Sequence, residues 1–337
     1  MIVLANTAVG KPWSGVVAEL VCLMTAAASL LYGVGVLAGW LSPGTGSVSY
    51  SQQPLGVSLV LLSAVIAAAT WPPVLRRLAR VMPIDPENPV DALALALGLL
   101  VIGTQFLSAT FVDLLSVELT LPALDFSDLL SEQLPLLIVA AAGVGLFVRR
   151  DGTATVRRLG LVRPAWWHVV LALAAAGVFV AFEALMASLS VSLTPDIAHR
   201  IDNTTNHLFG GLIANPLGIV AIAILPGICE ETLFRGAIQP RLGLVLTAVL
   251  FASIHTQYGL SFDTLAVLII GLGLGLIRKY TNTTSSAIAH ATYNLVTGVG
   301  FAGLVLGVAE VVELGLIAVA AYAIWNRRRA GSAAATP

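Results

Sequence analysis

Long apolar runs separated by short polar joints set the rhythm of this chain, and that rhythm decides its fold class. A helix of about 20 apolar residues crosses a hydrocarbon layer of about 30 Å. Ten stretches fit that pattern, near 15–41, 55–74, 91–114, 134–148, 165–190, 211–239, 242–257, 261–278, 281–305 and 309–326. Inside lipid the backbone must satisfy its own hydrogen bonds, and runs of this length do so as helices. The expected fold is all-α, a polytopic transmembrane helix bundle of about ten spans. Residues 1–205 read as an N-terminal extension of about five spans, 206–308 as a core, and 309–337 as a last span. The basic tail, small and polar after Arg329, is expected to be disordered.

Composition agrees. Of 337 residues, 58% are hydrophobic and 10% charged, which is far from the balance of a soluble globular protein. The lipid bilayer is thus a partner. The net charge of −1 and the lack of a basic, aromatic-rich patch point to no nucleic-acid partner. Cys22 and Cys229 both lie in apolar segments and make neither a disulfide framework nor a CxxC site. The first apolar run is too long for a cleavable signal and reads as an anchor.

Lysine and arginine accumulate on the cytoplasmic side of membrane proteins. Ten spans with the N-terminus and Lys11 inside put Arg76-Arg77-Arg80, Arg149-Arg150, Arg157-Arg158-Arg163, Arg241, Arg278-Lys279 and Arg327-Arg328-Arg329 all on that side. Only Arg200 falls outside, while Arg235 lies within a span. Both termini are therefore expected in the cytoplasm of a multi-pass cell-membrane protein. All six tryptophans (Trp13, Trp40, Trp71, Trp166, Trp167, Trp325) fall at expected span ends, as an interfacial belt requires.

Against this apolar background, charges within spans stand out, because ionisable groups in lipid are costly and default to function. The stretch Leu225-Pro226-Gly227-Ile228-Cys229-Glu230-Glu231-Thr232-Leu233-Phe234-Arg235 carries three. On a helix, Glu231 and Arg235 share one face at i, i+4 and neutralise each other. Glu230 is turned about 100° away and faces elsewhere. One carboxylate reads as structural, the other as free for chemistry. Two histidines join them: His255, four residues after Phe251, and His290, four residues before Asn294. At 1.5 Å per residue, Glu230 and His290 sit about 16 Å from the basic ends of their helices, and His255 and Asn294 about 21–22 Å. All four occupy one layer. Residues 1–150 hold almost no such groups, so the chemistry is expected in the second half. Glu183 is a further intramembrane acid with no evident partner. Gly271, Gly273 and Gly275 read as a close-packing face rather than a nucleotide loop.

An acid, two imidazoles and an amide in a dry cavity suit water activation and amide hydrolysis. They also suit zinc, with Glu230, His255 and His290 as a His₂Glu set drawn from three helices. The motifs resemble those of the CAAX-protease and bacteriocin-processing family of intramembrane endopeptidases, prokaryotic type. Glu230-Glu231 with Arg235 is similar to its EExxxR motif, Phe251 with His255 to FxxxH, and His290 with Asn294 to HxxxN, over about residues 210–305. The resemblance implies a helical core with a cavity open toward the cytoplasm and endoproteolysis of peptides or membrane-associated proteins. Glu230 with His255 would activate water, His290 and Asn294 would stabilise the oxyanion, and Glu231 with Arg235 would support the site. A metallo-type reading of the same groups stays open, as do two other functions: a non-catalytic binding, immunity or scaffold protein, and a proton-coupled transporter. Substrate and oligomeric state are left open.

Overall fold

The computed structural model describes residues 1–43, 48–300 and 303–333. The first half contains α1 (Ile2–Ala8), α2 (Ser14–Leu37), α3 (Gln52–Thr70), α4 (Pro72–Leu78), α5 (Pro89–Phe111), α6 (Leu114–Glu118), α7 (Phe126–Gly143) and α8 (Gly152–Arg158). The second half contains α9 (Trp166–Leu193), α10 (Pro195–Ile213), α11 (Pro216–Glu231), a π-helix (Thr232–Ile238) and α12 (Gln239–Ser253). A 3₁₀ turn (Thr256–Tyr258), α13 (Phe262–Tyr280), α14 (Thr283–Val299) and α15 (Gly303–Ala333) complete it. Among the described residues, seven helices are long and apolar enough to span a membrane: α2, α3, α5, α7, α9, the continuous Pro216–Ser253 stretch, and Leu306–Arg327 within α15. The chain is an all-α, multi-pass membrane protein.

Several elements differ from the hydropathy reading for identifiable reasons. The helical stretch Pro216–Ser253 breaks at Gly243, φ 78°, ψ 176°, next to the boundary expected between the spans 211–239 and 242–257. That conformation is open to glycine and strained for other residues. α13 and α14 lie where spans were expected at 261–278 and 281–305; α14 is 17 residues long and α13 carries Asp263, Arg278 and Lys279 near its ends, so neither is among the seven. α7 begins eight residues before the expected 134, because the Asp125–Asp128 capping box starts it there. The polar joint before residue 211 is the amphipathic helix α10. α15 continues through Ala333, past the point where the tail was expected to lose structure; residues 334–337 lie outside the described residues.

Helices α2, α3 and α5, with α1 alongside, form a bundle of their own. Lipid supplies no hydrophobic drive between helices, so close approach through small residues has to serve. At the α2–α3 contact a side chain on Gly33 would meet the Gly56 carbonyl at 2.9 Å, and Ser29 donates to the Leu59 carbonyl at 2.8 Å. Helices α7 and α9, expected in the N-terminal extension, pack instead on α11, α13 and α14.

The loops sort into two ends. At one, Asn6 donates to the Ala142 carbonyl, Arg149 to Asn6, Arg158 to Gly236, Arg241 to Gly143, and Thr283 to Leu159. At the other, Arg200 pairs with Asp113, His207 meets the Leu121 carbonyl and Thr256 donates to Glu118. The internal arginine clusters thus gather at one end and the acidic loops at the other. Five of the six tryptophans sit at helix ends, with Trp40, Trp71 and Trp166 exposed there, and Trp325 lies inside α15 near the end of its apolar stretch at Arg327.

Candidate active site

The site grows from the last turn of α11. Gly227 lets this helix approach α14 so closely that an added Cβ would lie 2.8 Å from Ala291 Cβ and 3.0 Å from its backbone nitrogen. Glu230 and Glu231 follow on the final turn, and the chain then widens into the π-helix that carries Arg235. Such single widened turns recur at functional sites because they displace side chains from the regular register.

Glu231 and Arg235 are both 0% exposed. Arg235 Nε lies 3.3 Å from Glu231 Oε2. Its Nη2 donates to the Gly271 carbonyl at 3.1 Å, and its guanidinium carbon sits 4.4 Å from the Phe251 ring centroid. Gly271 is therefore a packing glycine, as read, whose bare backbone also accepts the arginine. The same glycine row approaches Phe179 at Gly273 and accepts from Gln239 at Gly275. Glu231 further accepts from Ser286 Oγ at 2.5 Å and from His290 Nδ1 at 3.1 Å. One buried carboxylate thus ties together the π-helix and two positions a turn apart on α14. Ser286 went unnoticed in the sequence because it belongs to a polar run, 283–286, that reads as a joint.

Glu230 faces away from that network, as the 100° turn requires. It lines a cavity of about 540 Å³ together with His255, His290 and Asn294. Gln133 Nε2 donates to its Oε1 at 3.1 Å, while Oε2, buried, has no hydrogen-bond partner among the described residues. The expectation that chemistry is confined to the second half is thereby corrected. α7 delivers Gln133 from the first half, and its placement follows from the early capped start of that helix. The signal was the polar step Ser131-Glu132-Gln133 at the edge of an apolar run.

His255 stands just beyond the end of α12 rather than on it. Its link to Phe251 survives as a hydrogen bond between Nδ1 and the Phe251 carbonyl at 2.8 Å, with the two rings 4.7 Å apart. A carbonyl only accepts, so Nδ1 carries the proton and the neutral ring leaves Nε2 as an acceptor. Phe251 also contacts the His290 ring at 5.9 Å and Phe234 at 5.2 Å, so it is the apolar pivot of all three motifs. Asn294 Nδ2 donates to the Ile222 carbonyl at 3.3 Å and keeps a second N–H. Glu183 lines the same cavity, and its partner is the Tyr293 hydroxyl.

The cavity extends from the motif layer toward the acidic end of the bundle, with Thr205, Phe209 and Ile213 of α10 in its wall. As to zinc, Glu230, His255 and His290 all border the cavity. Among the described residues, however, no group of three histidines, cysteines or acids is arranged to hold a metal. His290 Nδ1 is engaged by Glu231 and His255 Nδ1 by a carbonyl, which leaves each Nε2 for a ligand as in known metal sites; it is the separation of the three groups that does not fit zinc as placed.

The helical membrane bundle thus gathers a carboxylate, two imidazoles and an amide around one cavity. Residues 212–296 match the family described as Type II CAAX prenyl endopeptidase Rce1-like. That stretch contains Glu230, Glu231, Arg235, Phe251, His255, His290 and Asn294, and is the family the motifs resemble. The match supports a protease and leaves residues 1–211 and 297–337 outside it. No curated protein and no solved structure matches the chain.

Proposed function

We propose that this protein is an intramembrane endopeptidase that hydrolyses peptide bonds of peptide or membrane-associated substrates by a water activated at Glu230. The observation that carries the reading is Glu230 Oε2: a buried carboxylate oxygen without a partner, facing a cavity shared with His255, His290 and Asn294. In this reading Glu230 takes a proton from water as the water attacks the scissile carbonyl carbon. His255 Nε2, the acceptor of its ring, holds the water or shares the proton. The oxyanion receives the free N–H of Asn294 and Nε2–H of a protonated His290, whose charge Glu231 balances. The proton then passes to the departing amine. Arg235 and Glu231 hold the frame. Both termini lie in the cytoplasm in this reading, on the positive-inside argument.

The test is proteolysis by the purified protein in detergent against a peptide library, for wild type and Glu230→Gln, each with and without a chelator. Loss of cleavage in Glu230→Gln with indifference to chelator supports the glutamate-activated water. Loss on chelation, restored by zinc, replaces it with a metallo-type mechanism. A wild type that cleaves nothing moves the assignment to a binding or scaffold protein.

A further inference from the structure

Five arginines gather where α7 ends. The carbonyls of Gly143 and Val144, at the close of that helix, accept from Arg241 Nη2 at 3.3 Å and from Arg150. The carbonyls of Gly236 and Ala237, in the π-helix, accept from Arg158 Nη1 at 3.3 Å and from Arg241 Nη1 at 2.6 Å. Neighbouring carbonyls lie within a few ångströms of each other, so Arg150, Arg158 and Arg241 stand side by side. Arg149 joins them through Asn6, which it meets at 3.0 Å and which itself donates to the Ala142 and Gly143 carbonyls. The Arg278 guanidinium lies against Gly160, two residues past Arg158, where an added Cβ would be 3.1 Å from Arg278 Cζ.

Against these five positive charges stands one carboxylate. Asp91, on Arg241, makes the only ion pair that any of the five has among the described residues. Asp85 and Asp151, close by in sequence, accept the backbone N–H groups of Glu87 and Ala154 instead. Arg149, Arg150 and Arg158 each spend one N–H on the protein, and Arg278 Nε is buried without a partner among the described residues. Burial, with the charges of Arg241, Arg150 and Arg278 added, pushes Arg158 down to about 10. Partly buried guanidiniums that stay charged need a counter-charge, and here the protein supplies too few. The loop that carries two of them also presents an aromatic ring. The Gly145 carbonyl accepts the N–H groups of Arg149 and Arg150 at 2.9 and 3.0 Å, which closes the loop tightly. Phe147, at its tip, takes φ 60°, a costly region for a bulky residue, and is 89% exposed.

We propose that this cluster binds the phosphate group of an anionic phospholipid, with Arg149, Arg150, Arg158 and Arg278 on the phosphate oxygens and Phe147 against the acyl chains. Planar guanidinium forks match phosphate oxygens, and basic pockets between membrane helices hold lipid headgroups in this way. The projecting aromatic ring suits the boundary between headgroups and chains, which favours a lipid over free phosphate. A headgroup that brings its own cation, such as choline, returns a positive charge to the cluster and binds poorly. Bound there, the lipid ties the loop after α7 and α8 to the end of α13. The site stands whether or not the protein cuts peptides.

The test titrates the purified protein in detergent with phosphatidylglycerol, with phosphatidylcholine of the same chains and with inorganic phosphate. Thermal unfolding and native mass spectrometry follow the binding. Phosphatidylglycerol should raise the unfolding temperature of the wild type and stay bound in the mass spectrum, and the other two should do neither. Arg278→Gln, which gives up no hydrogen bond to the protein, and Arg149→Gln should each weaken that lipid about fivefold. Phe147→Gly, which suits the backbone at that position, should weaken it as well. Arg76→Gln/Arg77→Gln, which removes two charges on α4, should leave the affinity unchanged. An equal loss in the α4 variant, or equal binding of phosphatidylcholine, overturns the site and leaves only diffuse attraction. Inorganic phosphate that stabilises as well as the lipid, with Phe147→Gly unaffected, overturns the phospholipid as the ligand and makes free phosphate the occupant.

Discussion

His290 Nδ1 lies 3.1 Å from Glu231 Oε1, which ties the imidazole to the second glutamate of the motif and leaves the first one unshared. The two adjacent carboxylates therefore answer differently to the same substitution. Glu231→Gln leaves a fully buried Arg235 without its counter-charge, and breaking a buried pair costs about 3–5 kcal/mol. Thermal unfolding in detergent should show a large loss for Glu231→Gln and almost none for Glu230→Gln. Proteolysis should be lost in both. Equal stability of the two variants would refute the division of labour.

Gln133 is a positioning residue for Glu230. Gln133→Leu removes a hydrogen bond to a charged group, worth about 1.5–3 kcal/mol, and so should lower kcat by about tenfold or more. A change in KM alone, with kcat intact, would put Gln133 on the substrate instead.

Gly227 sets the distance between α11 and α14. Gly227→Ala forces its Cβ to within 2.8 Å of Ala291 Cβ, and overpacking of this kind costs about 1–3 kcal/mol. Gly227→Leu should separate Glu231 from His290 and abolish activity. The spacing is checked by cross-linking cysteines placed on the two helices.

Asp91 on α5 and Arg241 on α12 form a buried pair at 2.9 Å that ties the N-terminal bundle to the core. Asp91→Asn or Arg241→Met alone should each destabilise by about 3–5 kcal/mol, and the double variant Asp91→Leu/Arg241→Met should recover much of that. Additive losses in the cycle would show that the two act independently.

Asp113, in the joint between α5 and α6, gives a pH prediction. Burial pulls its carboxyl upward, but hydrogen bonds from Ser116 and Arg200 and the Arg200 charge outweigh this and hold it below the usual carboxylate range. A depressed folded-state pKa contributes stability that is present above the ordinary value and lost as pH falls through the folded one. Acidification below about pH 4 should loosen the Arg200–Asp113 tie between α6 and α10. Hydrogen exchange of α10 should speed up there, and Asp113→Asn should remove the pH dependence.

Sequence made the layer of motifs legible because each group is an ionisable or amide side chain where lipid-facing residues should be. The opposite facing of Glu230 and Glu231 followed from helical pitch alone. What it did not reveal depends on contacts between distant segments. Gln133 reads as the end of the polar step Ser131-Glu132-Gln133 until α7 is laid against α11. Arg241 reads as a cytoplasmic surface charge until Asp91 is found beneath it. α10 was missed for another reason: hydropathy detects spans, whereas the three- and four-residue spacing of Ile201, Thr204, Leu208 and Leu212 marks a helix with a single buried face. His255 escaped α12 because a histidine four residues from Phe251 satisfies the pattern equally well on a helix or on the turn that ends it.

The hydrogen bond from Gln133 has a meaning for how this protein could be divided. The stretch with a family match, residues 212–296, contains Glu230 but not the Gln133 that donates to it. Cut out alone, it would keep every motif residue yet present them along an open trough to the acyl chains, with water no longer excluded from lipid on its own terms. The segments without a recognised relative are thus the remaining side of the reaction vessel, and any transplant of the motif into another membrane protein has to bring a substitute for α7.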